Sequence, residues 1–144
     1  MFSLPIRIYW EDTDAGGVVY HARYVGFLER ARTEWMRSLG YGQNALRAEQ
    51  DLVFAVTSMQ IDFRRPARLD DALDVTVALS QCGRASMVFM QTIRRGDELL
   101  LTAEVRIAAL SAATFRPRGI GGTLHSQLKA LEFPLQSETS RNNG

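Results

Sequence analysis

At 144 residues, 46% of them apolar and 23% charged, the chain has the size and composition of one ordinary globular domain, with enough length for a core but not for two. A net charge of +1 argues against a sequence-independent nucleic-acid binder, and no apolar run approaches the ~18 residues of a membrane span. The opening Met1-Phe2-Ser3-Leu4-Pro5-Ile6-Arg7 lacks the basic flank, apolar stretch and cleavage site of a signal peptide, so a cytoplasmic location is expected. Cys82, the only cysteine, excludes an internal disulfide and precedes Gly83 in a turn, with no chemical role expected. Lys129 is the only lysine among 17 basic residues. Guanidinium suits bidentate phosphate contacts, although biased codon usage explains the excess equally well.

Leu4 to Trp10 alternates, with Ile6 and Ile8 on one face and Arg7 and Tyr9 on the other, as in a half-buried strand. From His21 to Leu39 the period becomes helical: Tyr24, Phe27, Leu28, Ala31, Trp35 and Leu39 form one stripe, and Gly40 suits a C-terminal cap. Gly42 to Gln50 reads as a short helical turn. Val53 to Arg64 returns to strand, with a phase change between Val56 and Met59 that predicts a bulge. Pro66 and Asp70-Asp71 punctuate the chain before three strand-like runs at Leu73–Ser80, Ala85–Arg95 and Leu99–Leu110, joined by tight turns at Cys82-Gly83-Arg84 and Gly96-Asp97-Glu98. A loop follows, then a short helix at Thr123–Glu132. Residues 1–136 read as a single domain, and the polar residues 137–144 as a disordered tail.

Five strands and one apolar helix pack most economically as an α+β domain with an antiparallel sheet wrapped around the helix. A doubly wound parallel sheet needs crossovers longer than these turns. One open edge is expected to remain, and pairing it with another copy makes a homodimer or higher assembly the natural arrangement.

The chemistry concentrates between Tyr9 and Tyr24. A strand ends, two glycines turn the chain, and a carboxylate arrives beside a helix start whose free N–H groups and positive dipole end suit an oxyanion. Asp12 and Asp14 each have a capping role open to them, but Gly16-Gly17 permit close approach to a ligand and favour Asp14 as nucleophile or base. His21 can contribute through its imidazole or through its main-chain N–H at the helix start, and the second, which requires no particular side chain, is favoured. Glu29 with Arg32, and Glu34 with Arg30, sit at helical spacing and read as solvated ion pairs. His125 reads as surface decoration, and the arginines of Arg64–Arg68 and Arg116–Arg118 as solubilising charge, unless the substrate carries phosphates. The chain has no Walker A loop, dinucleotide fingerprint, zinc-protease motif or G-x-S-x-G elbow. The local rival is Asp12-Thr13-Asp14, the D-x-D pair of magnesium-dependent phosphohydrolases, which need a parallel sheet and a downstream lysine.

The run from Glu11 to Glu34, with Asp14, Gly16-Gly17 and Tyr20-His21 at its centre, closely resembles the hotdog-fold acyl-CoA thioesterases of the 4-hydroxybenzoyl-CoA thioesterase type, and most of all their Tol-Pal-associated branch. Arg64–Asp71 and Arg116-Pro117-Arg118 extend the likeness. The resemblance implies a hotdog fold, a homodimer or homotetramer, and hydrolysis of an acyl-CoA substrate without cofactor or metal. It implies Asp14 as the catalytic carboxylate, the amide at His21 as the polariser of the thioester carbonyl, and Tyr20 beside the same mouth. Arg65, Arg116 and Arg118 are the expected contacts to coenzyme A phosphates. Gly119-Ile120-Gly121-Gly122 departs from the family, where a proline-containing stretch is usual. Hydratase chemistry fits less well, because Asp14 and His21 stand seven apart rather than five. A non-catalytic role in recruiting envelope or lipid-synthesis partners is the alternative from another class.

Overall fold

The computed structural model describes residues 1–133, so the expected tail and the domain limit at 136 lie outside the described residues. The elements run β1 (Phe2–Arg7), α1 (His21–Ser38), α2 (Gln43–Gln50), β2 (Leu52–Phe63), β3 (Ala72–Cys82), β4 (Ser86–Arg95), β5 (Glu98–Ser111) and α3 (Gly122–Ala130). The strands form one antiparallel sheet in the order β1-β3-β4-β5-β2. Its inner face closes on α1, whose buried side chains are Tyr24, Phe27, Leu28, Ala31, Arg32, Trp35 and Met36. Trp35 meets Phe89 of β4 edge to face, ring centres 5.3 Å apart.

Local chemistry explains where the elements stop. Helix α1 ends in a paired-amide cap: Gly40 N–H bonds Arg37 C=O at 2.9 Å and Tyr41 N–H bonds Met36 C=O at 3.1 Å. Gly40 takes φ 95°, the left-handed geometry that this cap needs. The predicted bulge in β2 falls between Val56 and Ser58.

Three expectations need correction. Strand β1 ends at Arg7 rather than Trp10, because Trp10–Asp12 forms a 3-10 turn in which the Asp12 carboxylate accepts from Tyr9 N–H at 2.9 Å. The sheet has two outer strands, β1 and β2, rather than one open edge. They differ as pairing surfaces. Strand β1 has six residues and Pro5, which lacks a donor, whereas β2 runs twelve residues without proline and exposes Val56 and Phe63. Third, the helix ion pairs are not as spaced: Glu34 pairs with Arg37, Arg30 lies over the Phe27 ring, and Arg32 is buried against Gln91. Among the described residues no helix is long and apolar enough to cross a membrane.

Candidate active site

Three contacts fix the path between β1 and α1. Thr13 bridges Val19, Asp14 N–H bonds Val18 C=O at 2.9 Å, and Gly17 N–H bonds Asp14 C=O at 3.0 Å, closing a tight turn. Gly17 sits at φ 79°, where a side chain is strained. Asp14 thus stands beside Val18, three residues before α1 begins at His21.

The two aspartates are in opposite states. Asp12 is buried, and its carboxylate takes Arg23 Nε at 3.0 Å, Arg23 Nη2 at 2.7 Å and the Tyr9 amide. Its main-chain carbonyl also receives Tyr20 N–H at 2.9 Å. It is a brace. Asp14 is exposed, and among the described residues its carboxylate accepts only from Gly16 N–H, at 2.8 Å from Oδ1.

No side chain caps α1. Tyr20 occupies the cap position without a side-chain hydrogen bond, and among the described residues the N–H groups of His21 and Ala22 have no protein acceptor. These donors carry the positive end of the helix dipole and remain available to an anion or a polarised carbonyl. The exposed Tyr20 ring lies 4.8 Å from the His21 ring at the same mouth.

Behind the mouth, the segment Arg64–Asp71 is tied to α1. Ala67 N–H donates to Tyr24 Oη at 3.0 Å, and Ala67 C=O accepts from Val19 N–H at 2.9 Å. Burial pushes the Tyr24 phenol above its ordinary range, against the opposing pull of the Ala67 amide and Arg95, and Asp14 lies near enough to add its own charge. Arg95 bridges Asp71 at 2.6 Å and Glu98 at 2.7 Å, staking the segment to the β4–β5 turn. Sequence reasoning missed Tyr24 Oη and Arg23 as supports of the site; only the position of Tyr24 on the inward stripe pointed to burial.

The arginines divide into two groups. Arg65 N–H bonds Leu100 C=O, whereas Arg118 N–H bonds Ala109 C=O, nine residues further along β5. At ~3.4 Å per residue the two points lie about 30 Å apart. Arg65 shares the Asp14 end of the sheet and stands 3.4 Å from Glu98; Arg116 and Arg118 belong to the opposite end, where Arg118 lies 3.7 Å from Asp51. One protomer therefore does not bring the three together. Arg65 and Arg118 each have a carboxylate neighbour. Cys82 is buried with its thiol pushed up by burial and by Glu132, which disfavours a thiolate, and His125 lies half-buried on α3.

Comparison with known proteins follows the same outline. Residues 8–136 match the Thioesterase-like superfamily. The chain belongs to that superfamily. Among curated thioesterase-like relatives, an acyl-CoA thioesterase YbgC of Haemophilus influenzae is 46% identical over 116 residues, 81% of this chain and 85% of that protein. An acyl-CoA thioester hydrolase YbgC of Escherichia coli is 42% identical over 130 residues, 90% of this chain and 96% of that one. The crystal structure of a probable thioesterase from Bartonella henselae superposes with TM-score 0.79 at 37% identity, covering 83% of this chain and 98% of that chain. A hypothetical protein from Thermus thermophilus superposes at TM-score 0.86 with 24% identity, a likeness of fold alone. The thioesterase-like fold is the hotdog, an antiparallel sheet around one helix. That topology removes the D-x-D phosphohydrolase reading, which needs a parallel sheet, and Asp12 is in any case committed to Arg23.

Proposed function

We propose that this chain is an acyl-CoA thioesterase in which Asp14 supplies the reactive carboxylate and the first amides of α1 receive the thioester oxygen. The single observation that carries the reading is the contrast within Asp12-Thr13-Asp14: one carboxylate saturated and buried, the other exposed in the turn that leads into an uncapped helix start.

The chemistry needs little more. A thioester is a good electrophile with a good leaving group, so one carboxylate and one oxyanion site suffice. On one route Asp14 attacks the carbonyl carbon, the C–S bond breaks, coenzyme A leaves as the thiolate and takes up a proton, and water then hydrolyses the mixed anhydride. On the other, Asp14 removes a proton from water as the water attacks the same carbon, the C–S bond then breaks, and coenzyme A leaves as the thiolate and takes up that proton. Both routes put negative charge on the carbonyl oxygen, and in this reading the unbonded His21 and Ala22 amides receive it. Neither route asks for a cofactor or a metal.

The mouth favours completion by a second copy. Among the described residues, three cavities open on the protomer without Asp14, Tyr20 or His21 in their lining. Two-fold antiparallel pairing of β2 with its copy brings the Phe63 end of one protomer beside the Leu52 end of the other, and the Arg116–Arg118 segment follows β5 to that same end. In such a homodimer Arg65 of one protomer and Arg116 and Arg118 of the other flank one mouth, a fit to the separated phosphates of coenzyme A. A homotetramer adds a second such pair. A reducing, cytoplasmic setting suits a chain with a single buried thiol.

A panel of aliphatic and aromatic acyl-CoAs, followed by release of free thiol, tests the activity. Turnover of at least one class is expected. Failure across the panel would favour the recruiting role instead.

A further inference from the structure

The second place in the molecule with unmatched chemistry is a 300 Å³ cavity between α1 and the β2 side of the sheet. Its walls are mixed: Met36, Phe54, Met87 and Phe89 give an apolar side, and Glu29, Thr33 and Gln43 a polar one. Arg32 projects into it. That arginine is only 6% exposed, yet no carboxylate lies within ion-pairing distance among the described residues; Glu29, one turn earlier on the cavity rim, influences it only at longer range. Its one hydrogen bond runs from Nη1 to Gln91 Oε1 at 3.0 Å. Gln91 is fixed in that orientation because its amide nitrogen donates to Leu28 C=O at 3.1 Å and to Thr76 C=O at 3.4 Å.

A guanidinium carries five N–H donors, and this one spends a single donor on a neutral acceptor. Among the described residues no side-chain nitrogen or oxygen is both sealed from solvent and unbonded, so Nε and Nη2 of Arg32, which have no protein partner, keep some accessible surface, and Arg32 lines the cavity. Burial pulls Arg32 below its ordinary range, with Glu29 opposing, which is the cost of holding a cation without a matching anion. A cavity with one apolar side and a guanidinium that has unpaired donors fits an apolar stem ending in a carboxylate.

The cavity also lies where an acyl group is expected. Phe54 and Val56 belong to the half of β2 nearer Leu52, which two-fold pairing sets beside the second copy's Asp14 loop. We propose that Arg32 reads a terminal carboxylate on the acyl group, so that the substrates are coenzyme A thioesters of dicarboxylic acids rather than of plain fatty acids. This rests on the thioesterase reading above and deepens it.

The test pairs acyl groups of equal length: glutaryl- with valeryl-CoA, adipyl- with hexanoyl-CoA and suberyl- with octanoyl-CoA. Each is assayed for thiol release with the wild-type chain, Arg32→Met and Arg32→Lys. For at least one length, the wild-type kcat/KM is expected to favour the dicarboxylate by about ten- to a hundredfold, the worth of a charged hydrogen bond. Arg32→Met should abolish that preference while changing the plain acyl-CoAs less than about threefold, and Arg32→Lys should keep part of it. If either variant fails to fold, the wild-type comparison decides, supported by stronger competitive inhibition from free glutarate than from valerate. Hydrolysis without a dicarboxylate preference at any length overturns this inference and leaves the thioesterase reading intact, as does an Arg32→Met loss that is equal for both members of a pair. No hydrolysis of any acyl-CoA defeats both.

Discussion

The two ends of the sheet treat their carboxylates differently. At the end remote from Asp14, Asp51 accepts from Ser111 Oγ at 2.7 Å and Ala113 N–H at 2.9 Å, and Glu132 accepts from Cys82 N–H at 2.7 Å and Lys129 Nζ at 3.0 Å. Those bonds hold both carboxyls below the usual carboxylate range, Asp51 chiefly through Ser111 and Glu132 chiefly through the Cys82 amide. At the other end Asp14 has one bond, to an amide two residues away. A saturated carboxylate closes a loop, whereas one with spare lone pairs beside free helix amides can act on something else. Asp12 shows that proximity to the site is not the criterion: it stands two residues from Asp14 and is bonded like the distant pair.

The comparison is most easily broken at Asp14 itself. Asp14→Asn is expected to lower kcat/KM for acyl-CoA hydrolysis at least about a thousandfold, with the urea midpoint unchanged, because it removes a reacting group while the amide oxygen can still accept from Gly16 N–H. A mutant within tenfold of wild type would take Asp14 out of the mechanism. Asp12→Ala should do the reverse in proportion. It strips Arg23, Tyr9 N–H and the loop of their common acceptor, and a loss of about 2 kcal/mol in urea unfolding is expected, held down because Arg23 is partly solvated. Turnover should fall with it as the loop loosens, and an unchanged midpoint would show that the brace is dispensable.

Tyr24→Phe removes the acceptor of the buried Ala67 amide and should cost about 1–2 kcal/mol by the same assay. Because burial raises the wild-type phenol, that phenol contributes stability below pH ~10 that is lost as the pH rises into its folded range; Tyr24→Phe should remove this alkaline loss, so a stability profile that still falls equally steeply would contradict the assignment. The smallest effect belongs to the far end. Asp51, held low, contributes stability present at neutral pH and lost as the pH falls below the usual carboxylate range; in Asp51→Asn the acid limb of the urea-midpoint profile should flatten, and a limb as steep as the wild type's would contradict the assignment.

Much of this was legible in the residues. The helical stripe from Tyr24 to Trp35, the bulge after Val56 and the turns at Gly83 and Gly96 follow from periodicity and turn chemistry, and the sheet wrapped around α1 follows from their order. The Asp14 turn was legible because two glycines, a carboxylate and a helix start rarely coincide without cause. What escaped was long-range pairing. Arg32 stands three residues from Glu29 and reads as its partner, but its side chain turns inward to Gln91, 59 positions away. Within one protomer Arg65 lies apart from Arg116 and Arg118 for the same reason, since chain order says nothing of which end of β5 each segment meets.

The central claim is that the thioester oxygen rests on the first amides of α1 beside Asp14. Isotope-edited infrared spectroscopy of an acyl-CoA labelled at the thioester carbonyl, bound to the slow Asp14→Asn variant, reads that contact directly. The C=O stretch should move to lower frequency than in water, as a carbonyl polarised by helix amides must. An unshifted band at saturating ligand would place the carbonyl elsewhere and contradict the account.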